Sequence, residues 1–205
     1  MSRPGDRADA LPADEPNPWV RTASRDVYEN PWISVRHDDV VRPDGRPGIY
    51  GVVHFRSRAV AIVPVHDDGT TWLVGQYRYT LDRYSWEVPE GGVPFGEDLI
   101  EGGRRELAEE VGLQAEHVEV VGGVLHLSNS VTDEEGHVLV ATGLTEGVPA
   151  PEGTERLRQV RLPLGEAVRL ADEGVITDAL AIVALQRAAA WWKARTVTVE
   201  PPGHD

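Results

Sequence analysis

Cysteine is absent from this chain of 205 residues. Disulfides, thiolate metal sites and a cysteine nucleophile are excluded together. Lysine is almost absent as well, Lys193 being the only one. With it goes the phosphate-binding loop that ends in Gly-Lys, and no Gly-x-Gly-x-x-Gly dinucleotide fingerprint stands in its place. The seven histidines show neither His-x-His nor His-Glu-x-x-His spacing. Positive charge is short overall, and a net charge of −14 argues against nucleic acid or an anionic membrane as the main partner. A small anionic ligand stays compatible, because local arginines and bound cations outweigh the global field at close range. No apolar run approaches the roughly 18 residues of a membrane span. The opening MSRPGDRADALPADEPNP lacks the hydrophobic stretch of a secretory signal. The expectation is a soluble, cytoplasmic protein.

An apolar fraction of 40% is enough for a real core, and the length suits one large domain with at most a small appendage. Residues 1–18, rich in Pro, Asp and Ala, read as a flexible tail. The stretch 19–57 reads as an N-terminal β-subdomain, with short strands around a turn at Pro43-Asp44-Gly45. Residues 58–195 form the main domain, and 196–205 a C-terminal tail. AVAIVPVHDDGTTWLVGQYR places two apolar runs around Asp-Asp-Gly and predicts a hairpin. Ile100, Leu107 and Val111 make a helical stripe in a helix beginning near Glu97. HVEVVGGVLHL and HVLVATGL are strand-like, and ITDALAIVALQRAAAWWKA opens with a Thr/Asp cap and continues as a long helix. Mixed strands with few helices predict an α+β or layered α/β domain.

What needs explaining is a pile of like charge. Glu106, Glu109 and Glu110 share one helical neighbourhood, on the side opposite Ile100, Leu107 and Val111. Like charges at those spacings cost a few tenths of a kcal/mol per pair. A solvated acidic surface is one explanation. A bound hard cation such as Mg²⁺ or Mn²⁺, which takes oxygen ligands and binds phosphate readily, is the other.

The surroundings decide between them. Gly91, Glu97 and Arg105-Glu106-Leu107-Ala108-Glu109-Glu110-Val111-Gly112 stand at the spacings of the Nudix box, which the stretch from 91 to 113 resembles. A chance match in a chain this long is on the order of 10⁻⁷ to 10⁻⁶ from average residue usage. The resemblance implies a Nudix α/β/α sandwich with a mixed β-sheet, carrying a small N-terminal antiparallel β-subdomain. It implies a hydrolase of nucleoside diphosphates linked to another moiety. By the same resemblance Glu106 and Glu110 are metal ligands, Glu109 binds or bridges, and Arg105 holds a neighbouring carboxylate. Gly102-Gly103 departs from the usual box, at a cost of roughly 1 kcal/mol per glycine in a helix interior.

QYRYTLDRYSWEVPEGG, from 76 to 92, resembles the ADP-ribose pyrophosphatase branch. There the implied roles are diphosphate contact for Arg78, metal or substrate binding for Glu87, and a metal-binding carbonyl for Glu90. HLSNSVTDEEGHVLVATGL resembles the loop bearing the catalytic base, so Glu134 is the best match and Glu135 the next. In that branch the N-terminal β-subdomain swaps across a homodimer, where Arg56 or Arg58 could reach a phosphate. Trp32, Tyr50, Phe55 and Tyr79 could stack on a base, although core packing is the simpler expectation for each. The implied reaction is Mg²⁺-dependent hydrolysis of ADP-ribose to AMP and ribose 5-phosphate. The alternatives are another linked moiety (a hexose, a second nucleoside, CoA) or a silent Nudix-fold sensor. Silence usually shows as a broken Arg-Glu-x-x-Glu-Glu element, and here that element is intact.

Overall fold

The computed structural model describes residues 12–150 and 156–196. Most of the two expected tails lies outside those residues. Strands β1 (Val20–Glu29), β2 (Ile33–Val41) and β3 (Pro47–Phe55) form an antiparallel sheet of their own, in the order β1-β2-β3. The β2–β3 turn closes where the Pro43-Asp44-Gly45 chemistry places it, with Gly45 N–H donating to Arg42 O at 2.8 Å. β1 was invisible to periodicity because it is exposed along its whole length and so carries no alternation.

The main domain is built on β4 (Ser57–Pro64) and β10 (Glu135–Glu146), which pair in parallel. β7 (Glu90–Pro94) flanks β4, while β8 (Leu113–Val120) and the short β9 (Leu125–His126) flank β10. Both faces of this mixed sheet are covered, which is why β4 reads as a continuous apolar run. Val60, Ile62, Leu139 and Ala141 face helix α1 (Leu99–Val111). Ala61, Val63, Val138 and Val140 face helices α2 (Leu164–Asp172) and α3 (Ala179–Thr196). β5 (Thr70–Arg78) and β6 (Arg83–Glu87) join β11 (Arg158–Pro163) in a third sheet.

The hairpin expected from AVAIVPVHDDGTTWLV therefore does not form. Its turn exists, with His66 N–H donating to Thr70 O at 2.9 Å, but β4 and β5 diverge into different sheets. No described helix is long and apolar enough to cross a membrane.

Helix α1 starts two residues later than the box spacing suggests. Asp98 is its N-cap, its side chain accepting from the Ile100 and Glu101 amides. Gly112 ends it in the left-handed region at φ 69°. The last turn holds Glu109 and Glu110 and no basic residue. The two mid-helix glycines have a packing reason: a Cβ on Gly103 would lie 2.6 Å from Leu139 Cδ1, and one on Gly102 would overlap Val93. An exposed helical glycine gains about 0.5–1 kcal/mol on replacement by alanine. Gly103→Ala should instead lose about 1–3 kcal/mol through overpacking, read as a lower urea midpoint; a raised midpoint would refute the close-packing account.

Candidate active site

The start of β7 is where the box meets the rest of the molecule. Gly91 lies against Glu106 so closely that a Cβ there would overlap the Glu106 carboxyl. Neither Glu106 nor Glu110 is on the solvent side that helical periodicity assigned them. They are 8% and 2% exposed and turn inward under β7. Glu110 Oε2 accepts from the Glu90 amide at 3.0 Å. Arg105 reaches Glu106 Oε1 at 2.7 Å, Glu109 Oε2 at 3.4 Å and the Gly92 carbonyl at 3.1 Å. Its planar fork thus fixes two box carboxylates against the strand. Glu97 stands 3.8 Å from the same guanidinium.

A second set of acids stands beside the first. Glu87, Glu90 and Asp178 each offer a carboxylate oxygen within 4.8 Å of the others. Arg78 binds into this set, with Nε 2.9 Å from Glu87 Oε1 and Nη2 2.9 Å from Glu90 Oε1. Burial works against the charge of Arg78, but the hydrogen bonds and charge of Glu87, then Glu90 and Asp178, outweigh it and raise its pKa. Burial, with the charges of Asp178 and Glu87, pushes the Glu90 carboxyl well up against the opposing Arg78. Glu90 Oε2 is also buried without a hydrogen-bond partner. An orphaned acceptor among close carboxylates is costly as it stands, and it is the environment a hard divalent cation satisfies. The residues present fit such an ion.

Two cavities open onto these acids. The larger, about 710 Å³, is lined by Arg78, Glu87, Glu90, Glu134 and Asp178, with Trp32 and Phe55 on its wall. The smaller, about 340 Å³, is lined by Arg105, Glu106 and Glu109, and the two share Trp32, Ser57 and Glu90 to Gly92. Volumes of a few hundred Å³ hold a nucleotide-sized ligand. Glu134 sits in the larger one, its carboxyl pushed up by burial and then by Asp178. Glu135 begins β10 and lies 3.8 Å from His137, away from that lining. A further concavity of about 690 Å³ between β8 and α3, lined by Glu119, Arg187 and Trp191, shares none of these residues.

The structure adds to these expectations at three places. Arg58 lies outside both cavities and donates to the Glu97 carbonyl at 2.5 Å, bracing the loop before α1. Strand alternation explains it, since Ser57 and Ala59 are the β4 residues that face the larger cavity. Arg56 does line the smaller cavity, paired to Glu29. None of the four aromatics is core: Trp32 is 71% and Tyr79 93% exposed, and Tyr50 hydrogen-bonds the Ser130 carbonyl. The Thr-Asp pair predicts a helix cap, which Asp178 is, accepting from the Ala181 amide at 2.7 Å. The sequence carried no sign that the same carboxylate joins Glu87 and Glu90.

Comparison with known proteins bears directly on this geometry. Residues 55–182 match the NUDIX domain, and residues 19–53 match the nucleoside diphosphate sugar hydrolase N-terminal domain. This chain belongs to the Nudix family. Among curated Nudix relatives, an ADP-ribose pyrophosphatase of Mycobacterium tuberculosis is 36% identical over 165 residues, 78% of each chain. A methanol dehydrogenase activator of Bacillus methanolicus is 29% identical over 162 residues, 78% of this chain and 86% of its own. A solved ADP compounds hydrolase superposes with a TM-score of 0.78 over 89% of this chain and 98% of its own, at 24% identity, a likeness of fold. The protein is a Nudix pyrophosphohydrolase, and Glu87, Glu90 and Asp178 are grouped closely enough to hold a metal ion.

Proposed function

We propose that this enzyme hydrolyses the diphosphate of ADP-ribose, with Mg²⁺, to AMP and ribose 5-phosphate. The observation that carries the reading is Arg78 standing among Glu87, Glu90 and Asp178 in the cavity that also receives Glu134. The name of the mycobacterial relative supports the choice of ADP-ribose. Glu106, Glu109 and Glu110, with Glu87, Glu90 and Asp178, are the groups to hold the cation. When bound, it neutralises phosphoryl oxygens and acidifies water. Arg78 offsets charge on the diphosphate. Glu134 takes a proton from the attacking water as the new P–O bond forms and the bridging P–O bond breaks. The departing phosphate oxygen keeps the electron pair.

Turnover of ADP-ribose, UDP-glucose, GDP-mannose, NADH, FAD, CoA and diadenosine polyphosphates, each with Mg²⁺ and with EDTA, tests the reading. Metal-dependent release of AMP with ADP-ribose far ahead is expected. Another compound in the lead overturns the substrate, and full activity in EDTA overturns the metal. Glu134→Gln should lower kcat about 10²- to 10⁴-fold, the range of general acid–base catalysis, with KM little changed; if Glu135→Gln does so instead, the base is Glu135.

A homodimer completes the reading. β1 is exposed throughout, and Val20, Val27, Tyr28 and Ile49 are each more than half exposed. A three-stranded sheet this bare gains by being covered, and a second copy of the chain is the cover proposed. Sedimentation as a monomer at micromolar concentration argues against it.

A further inference from the structure

We infer that His54 is a positioning residue for Glu134, acting through Asp133. The inference rests on the reading of Glu134 as the base. His54 Nδ1 lies 2.5 Å from Asp133 Oδ2, and Asp133 Oδ1 accepts from the Phe55 amide at 3.2 Å. Around this pair β3 clamps the loop from both sides. Val53 N–H donates to Val131 O at 2.9 Å, Asp133 N–H donates to Val53 O at 3.2 Å, and Tyr50 Oη donates to Ser130 O at 2.8 Å. Among the described residues, the hydrogen bonds that tie 130–133 to anything beyond the loop all run to β3. Glu134 itself is held by two long bonds of 3.4 Å, one at its amide and one at its carbonyl. Its place in the cavity therefore follows from the residue before it.

His54 also touches the other half of the site. Its ring stacks on Phe95 at 6.5 Å and 3° between planes. Phe95 belongs to the loop that leads from β7 into α1, and Arg58, which braces that loop, lies 6.0 Å from its ring centre. One imidazole thus spans the base loop and the metal-helix loop. The pair is about half exposed on both sides, so its loss costs little stability and leaves the fold to report on geometry. Misplacement of a reacting group by 1 Å can cost on the order of a hundredfold; a loosened loop that still samples the right position loses less.

The test compares His54→Leu, His54→Asn and Glu134→Gln in the full chain. His54→Leu should lower kcat about tenfold with KM within about twofold, and speed amide exchange across 128–134. His54→Asn, whose Nδ2 can donate where Nδ1 does, should restore most of both. In a Glu134→Gln background His54→Leu should cost nothing further. Unchanged exchange, unchanged kcat, or an equal loss in the Glu134→Gln background each overturns the positioning role. Wild-type turnover by Glu134→Gln alone is a separate result, which sinks the base assignment and the positioning role with it.

Discussion

Glu110→Gln should lower kcat by about two to three orders of magnitude at saturating Mg²⁺ while the protein stays folded. The side chain is 2% exposed, and its Oε2 accepts from the Glu90 amide. Glutamine keeps the shape and can keep that acceptor, so what disappears is one negative charge. If that charge holds a cation over the diphosphate, the loss is several kcal/mol of transition-state stabilisation, and each 1.36 kcal/mol is tenfold in rate. Glu106→Gln should behave alike, because Arg105 holds Glu106 in place from the other side. Turnover and Mn²⁺ titration calorimetry on the same preparations are the measurements. Wild-type rates in both variants would remove the box glutamates from the metal site.

Gly91→Ala should cost about as much activity with almost no loss of stability. The added methyl group would occupy the space of the Glu106 carboxyl. That carboxyl is the far end of a flexible side chain, so the core does not have to move; Glu106 does. The same substitution at Gly103 meets Leu139 in the packed interior and acts on stability instead. Urea unfolding and kcat, measured on both variants, should therefore dissociate: Gly91→Ala near the wild-type midpoint and far below it in rate. A Gly91→Ala enzyme at wild-type rate would mean that the position of Glu106 is not critical.

Much of the site was legible because its residues are contiguous and chemically specific. Gly91, Arg105 and the three glutamates are fixed by spacing along one loop and one helix. Their direction was harder. Apolar periodicity puts Glu106 and Glu110 on the water side, yet both are buried, turned inward beside Leu107 and Val111 as carboxylates proposed to hold a cation would be. Arg58 turns away from its own chain's cavity for a plain reason, since alternation along β4 assigns Ser57 and Ala59 to that side. Asp178 was unreadable: its Thr-Asp setting is fully explained by the cap it supplies to α3, and only the tertiary fold brings it from the far end of the chain to Glu87. The β4–β5 hairpin failed because turn residues specify a reversal of direction, not which sheet each strand then enters.

The end of α1 has a thermodynamic consequence. A helix C-terminus carries roughly half a negative charge, and Glu109 and Glu110 stand there without a lysine or arginine in the turn. The backbone itself repels them. Arg105, one turn back, offsets part of this at Glu109; if the proposed cation supplies the rest, its occupancy and folding become one linked equilibrium. A cation at a hundredfold above its Kd adds about 2.7 kcal/mol to a folded state that alone binds it. Chelation would then withdraw stability as well as chemistry, and divalent-ion supply would set how long the protein survives in solution.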